Sequence, residues 1–315
     1  MSNKAFIFPG QGSQTSGMGK DFYDNFKVAK EVFQLVDDSL QQKLSNIIFD
    51  PQNSSALTLT ENAQPALMAV SMAIMKVINA ELNTDIKSLC SFVAGHSLGE
   101  YSALCAASSF NIETVTELLK IRGRSMQDAC PEGAGSMAAC IGIELAKLEE
   151  IVSELSESED FGVCQIANDN IIGQIVISGH ASAVDRVASI VKDLGYRAVK
   201  LKVSAPFHCR LMKPAEEQMS IALNEAIISE PLVPIIQNIN ALKVTDSNKI
   251  KLNLIAQVCG RVRWRETIEQ LAKLGVEEII EIGAGNVLTA MIRKTNHKFK
   301  LTNISNISEL ESFLA

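Results

Sequence analysis

The sequence has no excess of positive charge. Its 29 lysines and arginines are outnumbered by 36 aspartates and glutamates, so the 315-residue chain carries a formal net charge of −7. General binding to nucleic acid needs a basic face that neutralises phosphates, and this balance therefore argues against a nucleic-acid partner. An anionic partner must meet a local basic patch, for which the sequence offers two clusters: Arg261, Arg263 and Arg265, and Arg293, Lys294, Lys298 and Lys300.

Paired cysteines are also absent. The seven cysteines form neither a CxxC pair nor a Cys/His cluster at the spacing of a zinc site: Cys90, Cys105, Cys130, Cys140, Cys164, Cys209 and Cys259. An odd number of cysteines without such pairs is typical of a reduced compartment, in which they are buried free thiols. We therefore expect a cytoplasmic protein with no metal and no other cofactor.

Long apolar runs are missing as well. The amino-terminal stretch MSNKAFIF contains too short an apolar run before Pro9 for a signal peptide. The apolar stretch at 66–80 is interrupted by Ser71, Lys76 and Asn79 and is too short to cross a bilayer. We expect no membrane partner.

The glycine-rich segment at 7–22, IFPGQGSQTSGMGKDF, lacks the spacing of the known phosphate loops. A P-loop would have a further glycine five residues before Gly19 and a serine or threonine directly after Lys20. This sequence has neither. The third glycine of a dinucleotide fingerprint is replaced by Thr15. The apolar run at 5–8 instead predicts a buried strand, which puts Gln11 just beyond the strand's carboxyl end, where open α/β sheets bind ligands.

The pattern of apolar residues predicts an α/β protein with two structural units. From residue 133 the order of predicted elements is βαββαβ, which is typical of a ferredoxin-like unit. We therefore predict a large α/β core formed by 1–132 and 204–315, with a ferredoxin-like subdomain inserted at 133–203. In the core we predict strands at 5–8, 91–95, 233–239 and 277–283 and helices at 61–79, 112–129, 208–228 and 264–274.

One motif is typical of a nucleophile. Residues Gly95 to Gly99 read GHSLG, a G-x-S-x-G sequence that follows an apolar strand and opens a helix. In that context the glycines allow a tight turn that exposes the serine, and the helix amino terminus favours developing negative charge. We therefore predict that Ser97 is a nucleophile rather than a simple helix cap.

A serine nucleophile needs a base, and the chain offers four histidines. His96 is adjacent to the serine and should point away from it, His180 opens a helix of the inserted unit, and His297 lies in a lysine-rich segment. His208 follows a predicted strand that returns to the large domain. Elimination therefore favours His208 as the base.

The expected partners of a hydrolase triad are not evident. The elbow comes early, about a third of the chain follows His208, and no acidic residue is an obvious third member, all of which disfavours an α/β-hydrolase. A backbone carbonyl can orient the histidine instead. Arg122, on the helix after the elbow helix, is either a solvated surface residue, as Arg124 can be, or a pocket residue that binds a carboxylate through both oxygens.

The order of GQGSQ, GHSLGE, an arginine about 25 residues after the serine, and SAPFH resembles the malonyl-CoA–acyl carrier protein transacylases of bacterial fatty acid synthesis. The resemblance covers nearly the whole chain, from FPGQGSQ to EIGAGNVLTAMI. It implies a hydrolase-like α/β core with a ferredoxin-like insertion, and malonyl-CoA and acyl carrier protein as partners. We expect a monomer.

The resemblance also implies roles for individual residues. Ser97 becomes malonylated, His208 is its base, and Arg122 pairs with the malonyl carboxylate. The remaining residues that the resemblance assigns form the oxyanion hole (Gln11 and the Leu98 N–H), orient the histidine through a main-chain carbonyl (Gln257), and favour malonyl over methylmalonyl (Phe207). Two departures from the usual pattern lie outside the chemistry: Cys209 after the histidine, and a missing proline in the segment at 168–174.

Two other functions share parts of this pattern. A serine thioesterase or esterase would use Ser97 and His208 but would not need Arg122. A scaffold that binds carrier protein without catalysis would form no covalent adduct at Ser97. Exposure to malonyl-CoA with and without carrier protein separates the three.

Overall fold

The structure is a computed structural model that describes residues 3–156 and 162–315. In this part of the chain ten strands form two sheets. The strands are β1 (Lys4–Phe8), β2 (Phe92–Gly95), β3 (Gly135–Ile141), β4 (Cys164–Ile171), β5 (Gln174–His180), β6 (Arg197–Lys200), β7 (Ile235–Ile236), β8 (Lys243–Val244), β9 (Glu278–Ile282) and β10 (Lys300–Ile304).

Helices connect these strands and cover the sheets. In the described residues they are α1 (Lys20–Asn25), α2 (Lys27–Leu40), α3 (Leu44–Phe49), α4 (Ser54–Thr58), α5 (Thr60–Leu82), α6 (Ile86–Leu89), α7 (Gly99–Ala106), α8 (Ile112–Asp128), α9 (Leu145–Ser156), α10 (Ala181–Asp193), α11 (Lys213–Glu225), α12 (Ser247–Gln257), α13 (Trp264–Lys273), α14 (Val287–Ile292) and α15 (Ile307–Leu314). Two short 3-10 turns add Pro51–Asn53 and Arg210–Met212.

The larger sheet is mixed and mostly parallel, which makes the chain an α/β protein. Its order is β10-β9-β1-β2-β7-β8, and β8 is its antiparallel strand. β1 and β2 pair in parallel, with Phe8 opposite Gly95. The carboxyl ends of these two strands therefore lie side by side, so that the loop containing Gln11 and the turn containing Ser97 leave the sheet at the same edge.

The smaller sheet is antiparallel, with the order β4-β5-β3-β6. Two helices, α9 and α10, pack on it around a separate apolar core that includes Ile151, Ile177 and Val187. At its outer strand the sheet contacts the rest of the chain, because the Asp169 N–H donates to the Val262 carbonyl at 3.0 Å. The predicted order βαββαβ is the observed one in this segment.

Helix α5 lies in the apolar core that packs against the larger sheet. It is apolar on nearly all sides, which is typical of a helix buried in a protein core. Its length and composition would also fit a membrane span, but 72% of the most apolar window of Thr60–Leu82 is buried inside the fold. Its apolar residues belong to the same core as those of α2 and α8, and a core position accounts for its composition.

The predicted strand at 233–239 is shorter in the structure, where β7 contains only Ile235 and Ile236. Pro234 before it has no N–H for a strand ladder. Gln237 and Asn238 after it turn their hydrogen-bonding groups to the buried carboxylate of Glu100. The helix predicted at 208–228 likewise begins later, at Lys213, after the short 3-10 turn that follows His208.

Candidate active site

The turn between β2 and α7 holds Ser97 in an unusual backbone conformation. Its φ is +54°, a region that non-glycine residues rarely adopt. The glycines on either side are required by close packing: a Cβ on Gly95 would overlap the Gly99 carbonyl, and a Cβ on Gly99 would overlap the Phe8 carbonyl of β1. The sharp turn therefore presents the serine at the edge of the sheet, in the geometry of a nucleophile elbow.

His208 is in hydrogen-bond contact with this serine. The distance from its Nε2 to Ser97 Oγ is 2.8 Å. On the other side of the ring, Nδ1 lies 3.0 Å from the Gln257 carbonyl and 3.1 Å from the Gly260 carbonyl. Because carbonyl oxygens only accept, Nδ1 carries the proton and Nε2 presents its lone pair to the serine.

The environment of His208 keeps its ring neutral. The side chain is 4% exposed. Burial, together with the positive charge of Arg122, lowers the pKa of His208 to about 3. At neutral pH the imidazole is therefore unprotonated, which is the form that a general base requires.

Arg122 is buried in the site, not solvated. It is 1% exposed, and its guanidinium donates to Ser97 Oγ at 3.1 Å, to Gln257 Oε1 at 2.9 Å and to Gln64 Oε1 at 2.8 Å. Its Cζ lies 5.7 Å from the centre of the Tyr101 ring. Burial lowers its pKa, but a guanidinium stays charged in proteins. The site therefore contains a fixed cation beside the serine hydroxyl.

The remaining predicted residues line the same edge. Gln11 lies in the loop after β1, and its side-chain NH₂ donates to Thr60 Oγ1 at 3.3 Å. Leu98 precedes the first turn of α7, where backbone N–H groups have no partner within the helix. Phe207 is buried next to His208. The loop, the elbow and the histidine segment thus converge, although they come from distant parts of the chain.

This arrangement can activate a serine and stabilise an oxyanion, and known proteins share the whole fold. The family described as acyl transferase domain matches residues 5–312. The chain belongs to the acyl transferase family. A relative from Bacillus subtilis, named malonyl CoA-acyl carrier protein transacylase, is 41% identical over 313 residues, which cover 99% of this chain and 96% of the relative.

Solved structures agree with this assignment. The acyl-carrier-protein-S-malonyltransferase from Bartonella henselae has a TM-score of 0.95 and 49% identity, covering 99% of this chain and 98% of that one. A malonyl-transacylase solved in complex with a type II PKS acyl-carrier protein has a TM-score of 0.93 and 34% identity, covering 99% of both chains. The resemblance inferred from the sequence is confirmed.

Two other histidines of this acyltransferase form hydrogen bonds with partners other than Ser97. His96 places its Nε2 2.9 Å from Asn170 Oδ1, and its ring packs edge-on against Trp264. His180, at the end of β5 in the smaller sheet, accepts the Val163 N–H at 2.8 Å. Neither makes the contact with the serine that His208 makes.

The first basic cluster of the acyltransferase is neutralised by ion pairs. Its three arginines each bind a carboxylate within 2.8 Å: Arg261 with Glu149, Arg263 with Glu266, and Arg265 with Asp169. In the second cluster Lys300 pairs with Glu278 at 2.9 Å. The remaining members, Arg293, Lys294 and Lys298, are exposed and have no ion pair among the described residues. Among the described residues, these three therefore keep the positive charge of the two clusters that no ion pair neutralises.

Sequence reasoning missed the polar residues beneath the acyltransferase elbow. Asn238 Oδ1 accepts the Ser97 N–H at 2.7 Å, and Glu100 is a completely buried carboxylate behind it. Gln64 supports Arg122 from α5. Two features of the sequence could have indicated these residues: Glu100 directly follows the elbow motif, and Gln237-Asn238 is a polar pair at the end of an apolar run.

Proposed function

We propose that this acyltransferase moves the malonyl group from malonyl-CoA to the phosphopantetheine thiol of acyl carrier protein through a malonyl-serine intermediate. The observation that carries the proposal is the buried cation of Arg122, 3.1 Å from the hydroxyl of the elbow serine. A simple esterase has no need of such a charge. The names of the relatives support malonyl as the group and acyl carrier protein as the acceptor.

In the first half-reaction Ser97 Oγ attacks the thioester carbonyl of malonyl-CoA. His208 Nε2 takes the hydroxyl proton, and its resulting positive charge is stabilised by the two carbonyls at Nδ1. Negative charge on the tetrahedral oxygen faces the backbone N–H groups of Gln11 and Leu98. The C–S bond then breaks, and the departing thiolate takes the proton from His208, leaving malonyl-serine and coenzyme A.

The second half-reaction reverses these steps with a new thiol. The phosphopantetheine thiol of the carrier gives its proton to His208 and attacks the ester carbonyl of malonyl-Ser97. The C–O bond to the serine breaks, and Ser97 Oγ regains a proton from His208. The neutral state of this histidine between the two halves follows from its burial and from the adjacent guanidinium.

Arg122 holds the carboxylate of the malonyl group in this proposal. Moving that charge into a buried pocket is costly unless a fixed cation meets it. The planar guanidinium can bind both carboxylate oxygens, and Gln64 and Gln257 hold it in place. Phe207 limits the space next to His208 and favours malonyl over a branched methylmalonyl group.

We further propose the domain organisation predicted above. Residues 133–203 form a ferredoxin-like unit, which the order βαββαβ and the strand order β4-β5-β3-β6 support. Residues 1–132 and 204–315 form a hydrolase-like core. We also propose a monomeric enzyme, and a cytoplasmic one, which fits the free cysteines.

A direct assay tests the proposed function. Exposure of the protein to malonyl-CoA alone should add one malonyl group to its intact mass, and holo acyl carrier protein should then remove that group and become malonylated. Release of free malonate at the same rate with and without carrier would instead identify an esterase. A protein that never gains mass would be a scaffold.

The acyl preference gives a sharper prediction. Arg122→Ala should lower kcat/KM for malonyl-CoA by roughly a hundredfold, because breaking a buried charged contact costs on the order of 3 kcal/mol. Acetyl-CoA has no carboxylate, and its slow transfer should be unchanged or faster. The measurement is the ratio of the two specificity constants.

Arg124→Ala is the matched control for this experiment. Arg124 lies on the same helix, its side chain is 74% exposed, and its one ion pair among the described residues is with Asp128 at 3.8 Å. Its removal should leave the ratio unchanged. Equal losses for both acyl groups in Arg122→Ala would show that Arg122 has a structural role and that another residue holds the carboxylate.

A further inference from the structure

Glu100 is a buried acid that the reaction steps above do not use. It lies in the first turn of α7, three residues after Ser97, and is completely buried. Its two oxygens accept three hydrogen bonds: from the Asn238 N–H at 2.8 Å, from Gln237 Nε2 at 2.9 Å and from Gln257 Nε2 at 3.0 Å. Burying a carboxylate costs free energy, and its position so close to the serine therefore indicates a role in the site.

We propose that Glu100 is a positioning residue, which fixes Asn238 and Gln257 so that these two amides hold Ser97, His208 and Arg122 in their reactive geometry. This inference rests on the proposed function. Glu100 touches no reacting atom and acts through the two amides.

The first connection runs through Asn238 to the serine. Glu100 holds the backbone N–H of Asn238, and the Asn238 side chain bridges the turn. Its Nδ2 donates to the Gly95 carbonyl at 2.7 Å, and its Oδ1 accepts the Ser97 N–H at 2.7 Å. A positive φ is strained for a non-glycine residue, and this bridge holds Ser97 in that conformation.

The second connection runs through Gln257 to the arginine and the histidine. The Gln257 amide nitrogen donates to Glu100 Oε2 and to the Ser97 carbonyl, at 3.0 and 3.1 Å. Its amide oxygen must then face the other way, where it accepts from Arg122 at 2.9 Å. The main-chain carbonyl of the same residue holds His208 Nδ1. One glutamine therefore links the cation to the base.

The negative charge of Glu100 decides how this amide is oriented. A flipped Gln257 would turn its oxygen towards the carboxylate and its NH₂ towards the guanidinium, so that both contacts would become repulsive. Burial raises the pKa of Glu100, and its three N–H donors together with the charge of Arg122 oppose that shift. Donors at both oxygens suit the ionised carboxylate, and the amino terminus of α7 also favours an anion. A glutamine at position 100 would direct its own NH₂ at one or more of these donors.

The test is Glu100→Gln, which keeps the shape and removes the charge. We expect kcat/KM for malonyl-CoA to fall by about tenfold to a hundredfold, because small displacements of catalytic groups have effects of that size. The loss for acetyl-CoA should be smaller, since acetyl transfer does not use Arg122, so the malonyl-to-acetyl ratio should also fall. A general loss of folding would lower kcat/KM equally for both substrates.

A spectroscopic measurement reports on the histidine separately. In ¹⁵N-histidine-labelled protein, the His208 signals, assigned by their absence in His208→Gln, should show one tautomer in the wild type with the proton on Nδ1. In Glu100→Gln we expect Nδ1 to keep its proton against the Gln257 and Gly260 carbonyls, and the Nε2 signal to shift, because the Ser97 hydroxyl that contacts Nε2 is no longer held in place. Unchanged signals together with an unchanged acyl ratio would overturn the inference.

Glu281→Gln is the matched control. Glu281 is also a completely buried glutamate that accepts three hydrogen bonds, but these come from Leu288 and Thr289 at α14. Its replacement should cost stability without changing the malonyl-to-acetyl ratio or the His208 signals. A change in either readout of the same size as in Glu100→Gln would assign the effect to buried charge in general.

Gln257→Leu keeps the inference testable if Glu100→Gln does not fold. This variant retains the main-chain carbonyl for His208 but removes the side-chain link to Arg122, and its malonyl-to-acetyl ratio should fall. The malonyl-to-acetyl ratio of the double variant Glu100→Gln/Gln257→Leu should be little lower than that of Gln257→Leu alone, because the connection is already broken in the single variant. A Gln257→Leu protein with the wild-type ratio would overturn the inference. Failure of the wild type to transfer malonyl would contradict the proposed function instead, and the His208 signals would still test the role of Glu100.

Discussion

Replacement of Ser97 by alanine is expected to abolish both half-reactions. Without the hydroxyl no acyl-enzyme can form, and the loss of rate should be on the order of a million-fold, as is typical when the nucleophile of a coupled Ser-His pair is removed. The measurement is intact mass after brief exposure to malonyl-CoA. The wild type should gain one malonyl group and Ser97→Ala none.

The fold should survive this change. The hydrogen bond from the Ser97 N–H to Asn238 uses the backbone, and the alanine therefore keeps the contact that supports the turn. Ser102→Ala is a matched control, since Ser102 lies on α7, the helix that follows the elbow, and its buried hydroxyl has no hydrogen-bond partner among the described residues. Malonylation of Ser97→Ala at the wild-type rate would disprove the mechanism.

The elbow was predictable because its information is local. A strand, a G-x-S-x-G turn and a helix occupy adjacent residues, and the close contacts of Gly95 and Gly99 explain why this spacing is needed. His208 followed by elimination among four histidines. For Arg122 the residues left two alternatives open, and only burial beside the serine distinguishes them, because burial depends on how distant segments pack.

The supporting polar residues were not predictable in the same way. Glu100 and Asn238 are separated by 138 positions, and their contact exists only because β2 and β7 are neighbours in the sheet. Apolar periodicity identifies elements but carries no information about which polar groups meet at their ends. The same limit explains the shortened strand at 235–236, where hydrogen bonds to Glu100 replace the expected ladder.

Replacement of His208 by glutamine is the second prediction of large effect. We expect the rate of malonyl-serine formation to fall by about a hundredfold to ten-thousandfold, the usual contribution of a general base. The measurement is the rate of mass gain at neutral pH, with His96→Gln as the comparison. A larger loss in His96→Gln than in His208→Gln would identify His96 as the base.

The pH dependence follows from the same burial. Burial and the charge of Arg122 lower the pKa of His208 to about 3, so the wild-type acylation rate should remain constant as the pH falls through 6.5, the ordinary value for histidine, and decline only near the lowered pKa. The unfolded chain binds a proton at His208 below about pH 6.5, whereas the native protein does not until the lowered pKa is reached. The wild type should therefore lose unfolding free energy as the pH falls through this window, and His208→Gln should lose less, because it lacks this group. Denaturant unfolding of both proteins at neutral and mildly acidic pH measures the difference. An acylation rate that halves near pH 6.5 would show that His208 is solvated and that the buried geometry does not set its charge.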